Sequence, residues 1–208
     1  MKLKSLLTLL ITLFFHHSGI AQYDHEKPVT DVVFSKDGSI LVSIAFGNVY
    51  FWDSETHFEA RHIEEKVLNT LFSVDISSNS EYMAVANRNN IMLYNLKSGR
   101  MLSGFSGHSR FVYDLAFHPN STILASASQD KKVKIWDINS DKELFDLSNH
   151  SADVKAVAFS ADGSVLASGS SDGTISFWGF PGARLMGSVS NVGKVESLDF
   201  SPDGKRLL

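Results

Sequence analysis

The sequence predicts an all-β fold: a stack of four-stranded antiparallel sheets, four units complete and a fifth begun. Three observations carry this. First, the aromatic-ended segments VYFWD (49–53), IMLYN (91–95), VKIWD (133–137) and ISFWG (175–179) recur so that Trp52, Tyr94, Trp136 and Trp178 are each 42 residues apart. That spacing belongs to arrays of supersecondary units. Second, Phe34, Ile76, Phe117, Phe159 and Phe200 keep the same period, at 41 or 42, each closing an apolar stretch. Third, the apolar runs are short and turn-bounded, and nothing after residue 21 has a helical period.

Taken in order, residues 1–21 (MKLKSLLTLLITLFFHHSGIA) have a basic start at Lys2 and Lys4, an apolar run from Leu6 to Phe15 and small residues at the end. This predicts a secretory signal cleaved before Gln22, because the run is about half the roughly 20 residues a spanning helix needs. The mature chain is then periplasmic or extracellular, with no membrane span. Cleavage removes two lysines and no acid, taking the formal charge from −4 to −6. A mildly acidic exported chain is a poor nucleic-acid binder. With no cysteine in 208 residues, a disulfide scaffold, a zinc-thiolate site, a cysteine nucleophile and a lipid-modified N-terminal cysteine are excluded. The 43% hydrophobic and 20% charged composition is that of a foldable soluble chain.

The repeats run 22–63, 64–104, 105–146 and 147–188, with a partial fifth over 189–208. The fourth shows the grammar most clearly. VKAVAFS (154–160), VLASGS (165–170), TISFW (174–178) and RLMGSV (184–189) are strands joined by Ala161-Asp162-Gly163 and Ser171-Asp172-Gly173. Asp-Gly supplies the positive backbone angles that tight hairpins prefer, and Asp37-Gly38 and Asp203-Gly204 repeat the signal in units one and five. Apolar residues on both faces of the first strand, with small ones between, predict sheets covered on both sides.

Gly107-His108, then Ser126 and Asp130 in ILASASQD, then Trp136-Asp137 mark the third repeat; His150, Ser168, Asp172 and Trp178 follow at identical spacings in the fourth. In these residues the chain resembles the WD-repeat family of β-propellers, over about residues 25–208. The resemblance implies one blade per repeat, with tryptophan, serine, histidine and aspartate forming a structural hydrogen-bond tetrad. The same residue types make a hydrolase triad, but a single-site triad does not recur in register in consecutive repeats, with its serine inside an alanine-rich strand. No catalytic residue is expected. The first repeat has Phe46, and the second Arg88 and Tyr94, where tetrad members would fall. Blades one and two are therefore expected to lack the network. His25, His57, His62 and His118 have no ligand spacing, so neither a metal site nor a cofactor is expected. They read as surface or turn residues, and Lys131, Lys132 and Lys134 as a solvated turn.

The resemblance also marks one rim of the central channel as a candidate protein-binding surface. On it lie Thr70 and Phe72 in blade two, Phe111, Tyr113 and Gln129 in blade three, Asp153, Lys155 and Ser171 in blade four, and Lys194 and Glu196 in the fifth; Pro28 and Thr30 correspond in blade one. The aromatics either anchor a protein partner or fill gaps between blades. The expected function is that of a non-catalytic exported scaffold for protein–protein interaction. One rival is an envelope enzyme or small-ligand propeller with a central-channel site, and another is a truncated gene product without independent function. Subtracting the leader leaves 187 residues, about 4.5 repeats of 42. The expectation is a truncated ring or one that another chain completes.

Overall fold

A computed structural model describes residues 28–45, 47–54, 59–64, 71–120 and 122–208. The leader expected over 1–21, and Thr70, Phe46, His25 and His57, lie outside the described residues. Four antiparallel four-stranded sheets follow the chain in order. The first holds β1 (Val29–Phe34), β2 (Ile40–Ala45), β3 (Asn48–Asp53) and β4 (Glu59–Glu64). The second holds β5 (Leu71–Ile76), β6 (Tyr82–Asn87), β7 (Asn90–Asn95) and β8 (Met101–Ser106). The third holds β9 (Val112–Phe117), β10 (Ile123–Ser128), β11 (Lys132–Asp137) and β12 (Lys142–Ser148). The fourth holds β13 (Val154–Phe159), β14 (Val165–Ser170), β15 (Thr174–Gly179) and β16 (Arg184–Ser190). Contact between β1 and β5, β5 and β9, and β9 and β13 puts the first strand of every sheet on the inside. These are the blades of an all-β propeller.

The turn after each inner strand is built the same way in three blades and in the fifth unit. Ser35, Ser77, Ser160 and Ser201 donate their hydroxyls to Asp37, Asn79, Asp162 and Asp203. Gly38, Gly163 and Gly204 then take positive φ, which glycine adopts without steric cost. Short polar side chains that bond their own turn in this way are why the Ser-x-Asp pattern stops a strand.

The second and third sheets bury both faces, which is why their middle strands read as apolar runs rather than alternations. Between blades two and three, Ile91, Leu93 and Phe105 pack against Leu115, Leu124 and Trp136. Between three and four, Val133, Ile135 and Leu147 meet Val157, Leu166 and Trp178. Full burial of such side chains stabilises by about 1.5–3 kcal/mol each. Alanines on β6, β10 and β14 (Ala84, Ala86, Ala125, Ala127, Ala167) let neighbouring sheets approach.

A second set of bonds ties the inner strands together. Asp31 on β1 accepts from the Ser73 hydroxyl at 2.9 Å and the Val74 amide at 3.0 Å. Asp114 on β9 lies 3.1 Å from the same hydroxyl and accepts the Val157 amide of β13 at 3.0 Å. Asp75 on β5 accepts the Phe117 amide at 2.7 Å. All four blades are therefore linked through buried carboxylates, so backbone donors that would be orphaned where strands converge are satisfied.

Beyond β16 the fifth unit has one antiparallel bridge, Phe200 to Leu207. Its residues Val195 and Leu198 cover part of the outward face of blade four, against Ala156, Ala167, Ile175 and Phe177. Gly169 admits them, since a Cβ there would collide with Val195 and Leu198. Gly169→Ala is expected to cost about 1–3 kcal/mol as an overpacked contact and to loosen residues 192–208, which limited proteolysis of the variant would report.

Candidate functional site

In blade three the polar residues form one directed chain. The Trp136 indole donates to Ser126 Oγ at 2.8 Å, and Ser126 Oγ lies 2.8 Å from His108 Nε2. His108 Nδ1 stands 2.8 Å from Asp130 Oδ2, which also accepts the Ser109 amide. With the ring proton on Nδ1, every step has one donor and one acceptor. The distances are those of a hydrolase triad, but Ser126 is fully buried within β10 and its oxygen already receives the indole N–H. A substrate carbonyl has no approach to it. The chain therefore pins β10, β11 and the loop entering β9 together.

Blade four differs by one link. Trp178 donates to Ser168 at 3.0 Å, and Ser168 lies 2.8 Å from His150 Nε2. His150 Nδ1, however, meets the Thr174 hydroxyl at 2.8 Å, and Thr174 donates to Asp172 at 2.6 Å. Asp172 itself is 3.7 Å from the imidazole. Thr174 relays the chain, in a position that is Lys132 in blade three. Blade one corrects the expectation that it lacks the network, because Trp52 donates to Ser43 at 2.7 Å. The half of the tetrad that needs no aspartate is retained there, while blade two has Val85 and Tyr94 in the corresponding places.

One further reading is corrected. Lys134 is only 5% exposed. Its ammonium reaches Glu143 at 2.7 Å and Asp146 at 3.0 Å on β12, so it is a buried ion-pair partner rather than part of a solvated turn. His118, read as a surface or turn residue, stands half-buried at the turn after β9. It packs against Phe159 and Phe180, with Nε2 3.1 Å from the Gly163 carbonyl, and joins blades three and four.

At the rim where the inner strands begin, Phe72 meets Phe111 at 5.3 Å and Tyr113 edge-on at 5.4 Å between ring centres. The Lys155 ammonium lies 3.4 Å above the Tyr113 ring and 3.5 Å from Asp153, whose carboxylate is also reached by the Tyr113 hydroxyl at 3.4 Å. Amides at the tetrad turns fasten the loops beneath. Gln129 donates to the Phe111 carbonyl and Ser171 to that of Asp153. The structure therefore brings Phe72, Phe111, Tyr113, Asp153 and Lys155 together across three blades. Lys194 and Glu196 are exposed on the fifth unit, Thr30 bonds to the Leu71 carbonyl, and Pro28 is exposed. Among the described residues no group of histidines and acids has a metal-binding arrangement. Nor is any described helix long and apolar enough to cross a membrane.

The family model for the WD domain, G-beta repeat, matches residues 18–53, 99–137 and 141–179, just over half of the chain. The chain belongs to the WD40 repeat family. Each matched WD40 repeat after the first begins around the outer strand of one blade and ends on the third strand of the next. WD40 repeat proteins are generally non-catalytic scaffolds that mediate protein–protein interaction. Among curated proteins, a zebrafish (Danio rerio) apoptotic protease-activating factor 1 is 30% identical over 49% of this chain and 8% of its own length. A WD repeat-containing protein WDS homolog from Arabidopsis thaliana is 31% identical over 53% of this chain and 22% of its own. A serine-threonine kinase receptor-associated protein from Dictyostelium discoideum is 27% identical over 53% of this chain and 37% of its own. This WD40 chain thus spans well under half the length of these relatives.

Protonation of the WD40 tetrads sets a pH dependence. Burial opposes ionisation of Asp130, but hydrogen bonds from His108 and from backbone and side-chain donors hold its carboxyl at about 2. Burial also opposes ionisation of Asp172, yet bonds from Thr174 and Ser151 draw it well below the usual carboxylate range. Burial pushes the imidazoles of His150 and His118 below their ordinary value, only partly countered by Asp172 and by Gly163. A depressed histidine leaves the unfolded chain binding more protons below about pH 6.5, so stability falls from there downward. Depressed carboxylates contribute fully above about pH 4 and lose that contribution as the pH drops toward 2. The melting temperature is expected to fall in two stages, and replacing His118 and His150 by glutamine is expected to flatten the first.

Proposed function

We propose that this WD40 chain is an exported scaffold that binds protein partners through the rim formed by Phe72, Phe111 and Tyr113. One observation carries the reading: the three rings touch across neighbouring blades, yet Phe111 remains 38% exposed immediately before β9. A ring that merely filled an interblade gap would be covered. Large aromatics set among polar neighbours are the usual anchors of protein recognition. The name of the Dictyostelium relative, a receptor-associated protein, is in keeping with such a role. Export is supported by the basic start and apolar run of residues 1–21.

Substituting alanine for all three aromatics is expected to weaken capture of a partner from the envelope fraction at least about thirtyfold, while the far-UV circular dichroism spectrum stays that of the folded chain. Unaltered capture by the triple variant would place the binding surface elsewhere. Fusion of residues 1–21 to alkaline phosphatase tests export. The fusion is expected to be active and the mature chain to begin at Gln22; an inactive, uncleaved fusion would refute export.

A second reading concerns the outward face of blade four. Phe105, Leu147 and Val189 hold the same place on β8, β12 and β16, 42 residues apart, and are 3%, 7% and 50% exposed. The first two are covered by the following blade. A further chain seated on this face would cover Val189 in the same way, and analytical ultracentrifugation of the wild type against Val189→Glu reads this as a loss of the higher-mass species.

A further inference from the structure

Every blade makes a tight turn between its second and third strands on the side of the propeller where the aromatic rim lies. Among the described residues of these turns, one in each takes positive φ: Gly47 at 91°, Arg88 at 56°, Lys131 at 73° and Gly173 at 79°. Glycine is the unstrained choice there, because a side chain at such an angle crowds the backbone. Blades one and four use it. Blades two and three, which supply the aromatic rim, place long cations in the same strained geometry.

Both cations stand beside Phe111. The Arg88 carbonyl accepts the Val112 amide at 2.6 Å, one residue from Phe111. Lys131 closes the turn whose Gln129 amide bonds the Phe111 carbonyl and whose Ser128 hydroxyl bonds that of Arg110. Arg88, Arg110 and Lys131 are exposed and form no ion pair among the described residues. The acids on this rim are already engaged: Asp130 with His108, Asp153 with Lys155, and Asp172 with Ser151 and Thr174. Lys194 and Glu196 are both exposed on the fifth unit. On a chain whose formal charge is −4, the loops next to one exposed aromatic thus carry three cations without an ion pair among the described residues. Strain retained at such positions is characteristic of a binding site.

We propose that the rim selects an acidic segment of a protein partner, with an apolar side chain seated on Phe72, Phe111 and Tyr113 and flanking carboxylates paired with Arg88, Arg110 and Lys131. This rests on the rim being the binding surface and adds the chemistry of what it binds. Complementary charge of this kind fixes the choice and register of the partner.

The test uses the purified chain and three sets of fluorescein-labelled short peptides. Each peptide has a central tryptophan flanked only by glutamate, only by serine or only by lysine, and binding is read by fluorescence anisotropy. The glutamate set is expected to bind at least about tenfold more tightly than the serine set and to weaken as ionic strength is raised from about 0.05 to about 0.5 M. Arg88→Gly combined with Lys131→Gly is expected to lose that preference while the melting temperature holds or rises, since the backbone strain is relieved. Loss of binding would then not reflect misfolding. Equal or tighter binding of the lysine or serine set, still lost in Phe111→Ala, would overturn the acidic assignment and leave the rim standing. Binding of every set unaffected by Phe111→Ala, or no binding at all, would overturn both. A single-stranded oligonucleotide that displaced the glutamate peptide at equal concentration would overturn the assignment to a protein segment.

Discussion

Trp136→Ala is expected to destabilise the chain by about 3–5 kcal/mol, the usual cost of deleting a large aromatic from a packed core. The indole is almost wholly buried and packs on Phe105 at 5.5 Å between ring centres. Gly107 approaches it so closely that even a methyl group there would touch the ring at 3.0 Å. Alanine would open a cavity on the interface between blades two and three and leave Ser126 without its indole donor. Trp136→Phe separates the two terms, because it keeps most of the ring and removes the N–H, for about 1 kcal/mol. Urea unfolding should show the midpoint falling with the slope unchanged. Trp52→Ala, where the indole is only partly buried, should cost less. Equal losses at positions 52 and 136 would mean that the interblade cavity is not what matters. Stabilities of single domains are about 5–15 kcal/mol, so a loss of this size removes a large share of the total.

The repeat arithmetic made sixteen strands and their hairpins legible, because sheets buried on both faces leave an apolar period that turns interrupt at fixed distances. The two tetrads could be read because their residues are chemically distinctive and spaced alike. Thr174 could not, since its counterpart Lys132 has different chemistry and repetition was the only signal available. Ser43 was missed for the opposite reason. Blade one has no aspartate to complete a tetrad, yet the indole–hydroxyl bond needs no acid. Lys134 was readable and was misread: it shares its face of β11 with Trp136 two residues on, so its stem had to be buried. The inner-strand carboxylates Asp31 and Asp114 keep the register of Ser73 at 42 and 41 residues, a signal present in the period. Period alone does not say that a polar residue on the inner strand is bonded to the next blade.

Those inner-strand groups give the second large expectation, a contrast at one position. Ser73 has a single hydroxyl proton, while Asp31 at 2.9 Å and Asp114 at 3.1 Å both present carboxylate oxygens to it. Asp114→Ala removes the acceptor of the Val157 amide. A buried N–H left without a partner costs about 1–3 kcal/mol, and the lost contact with Ser73 adds about 1 kcal/mol. The expected loss is therefore about 2–4 kcal/mol. Asp114→Asn is expected to cost less than about 1 kcal/mol. Its amide oxygen can still accept from Val157, while its amide nitrogen donates to Ser73 Oγ and frees the single hydroxyl proton for Asp31. Chemical denaturation of the two variants reads the difference directly. Were asparagine as damaging as alanine, the chain of bonds from Asp31 through Ser73 to Asp114 would not be what couples the blades. Ala156 occupies the corresponding place in blade four, so the chain of carboxylates ends there. Beyond that point the fifth unit is held to blade four by the side chains of Val195, Leu198, Phe200 and Leu207 and by amide bonds from Val192 to Gly173 and Val195 to Ser170, without a buried carboxylate, and hydrogen exchange should therefore be faster in residues 192–208 than in β9 and β13.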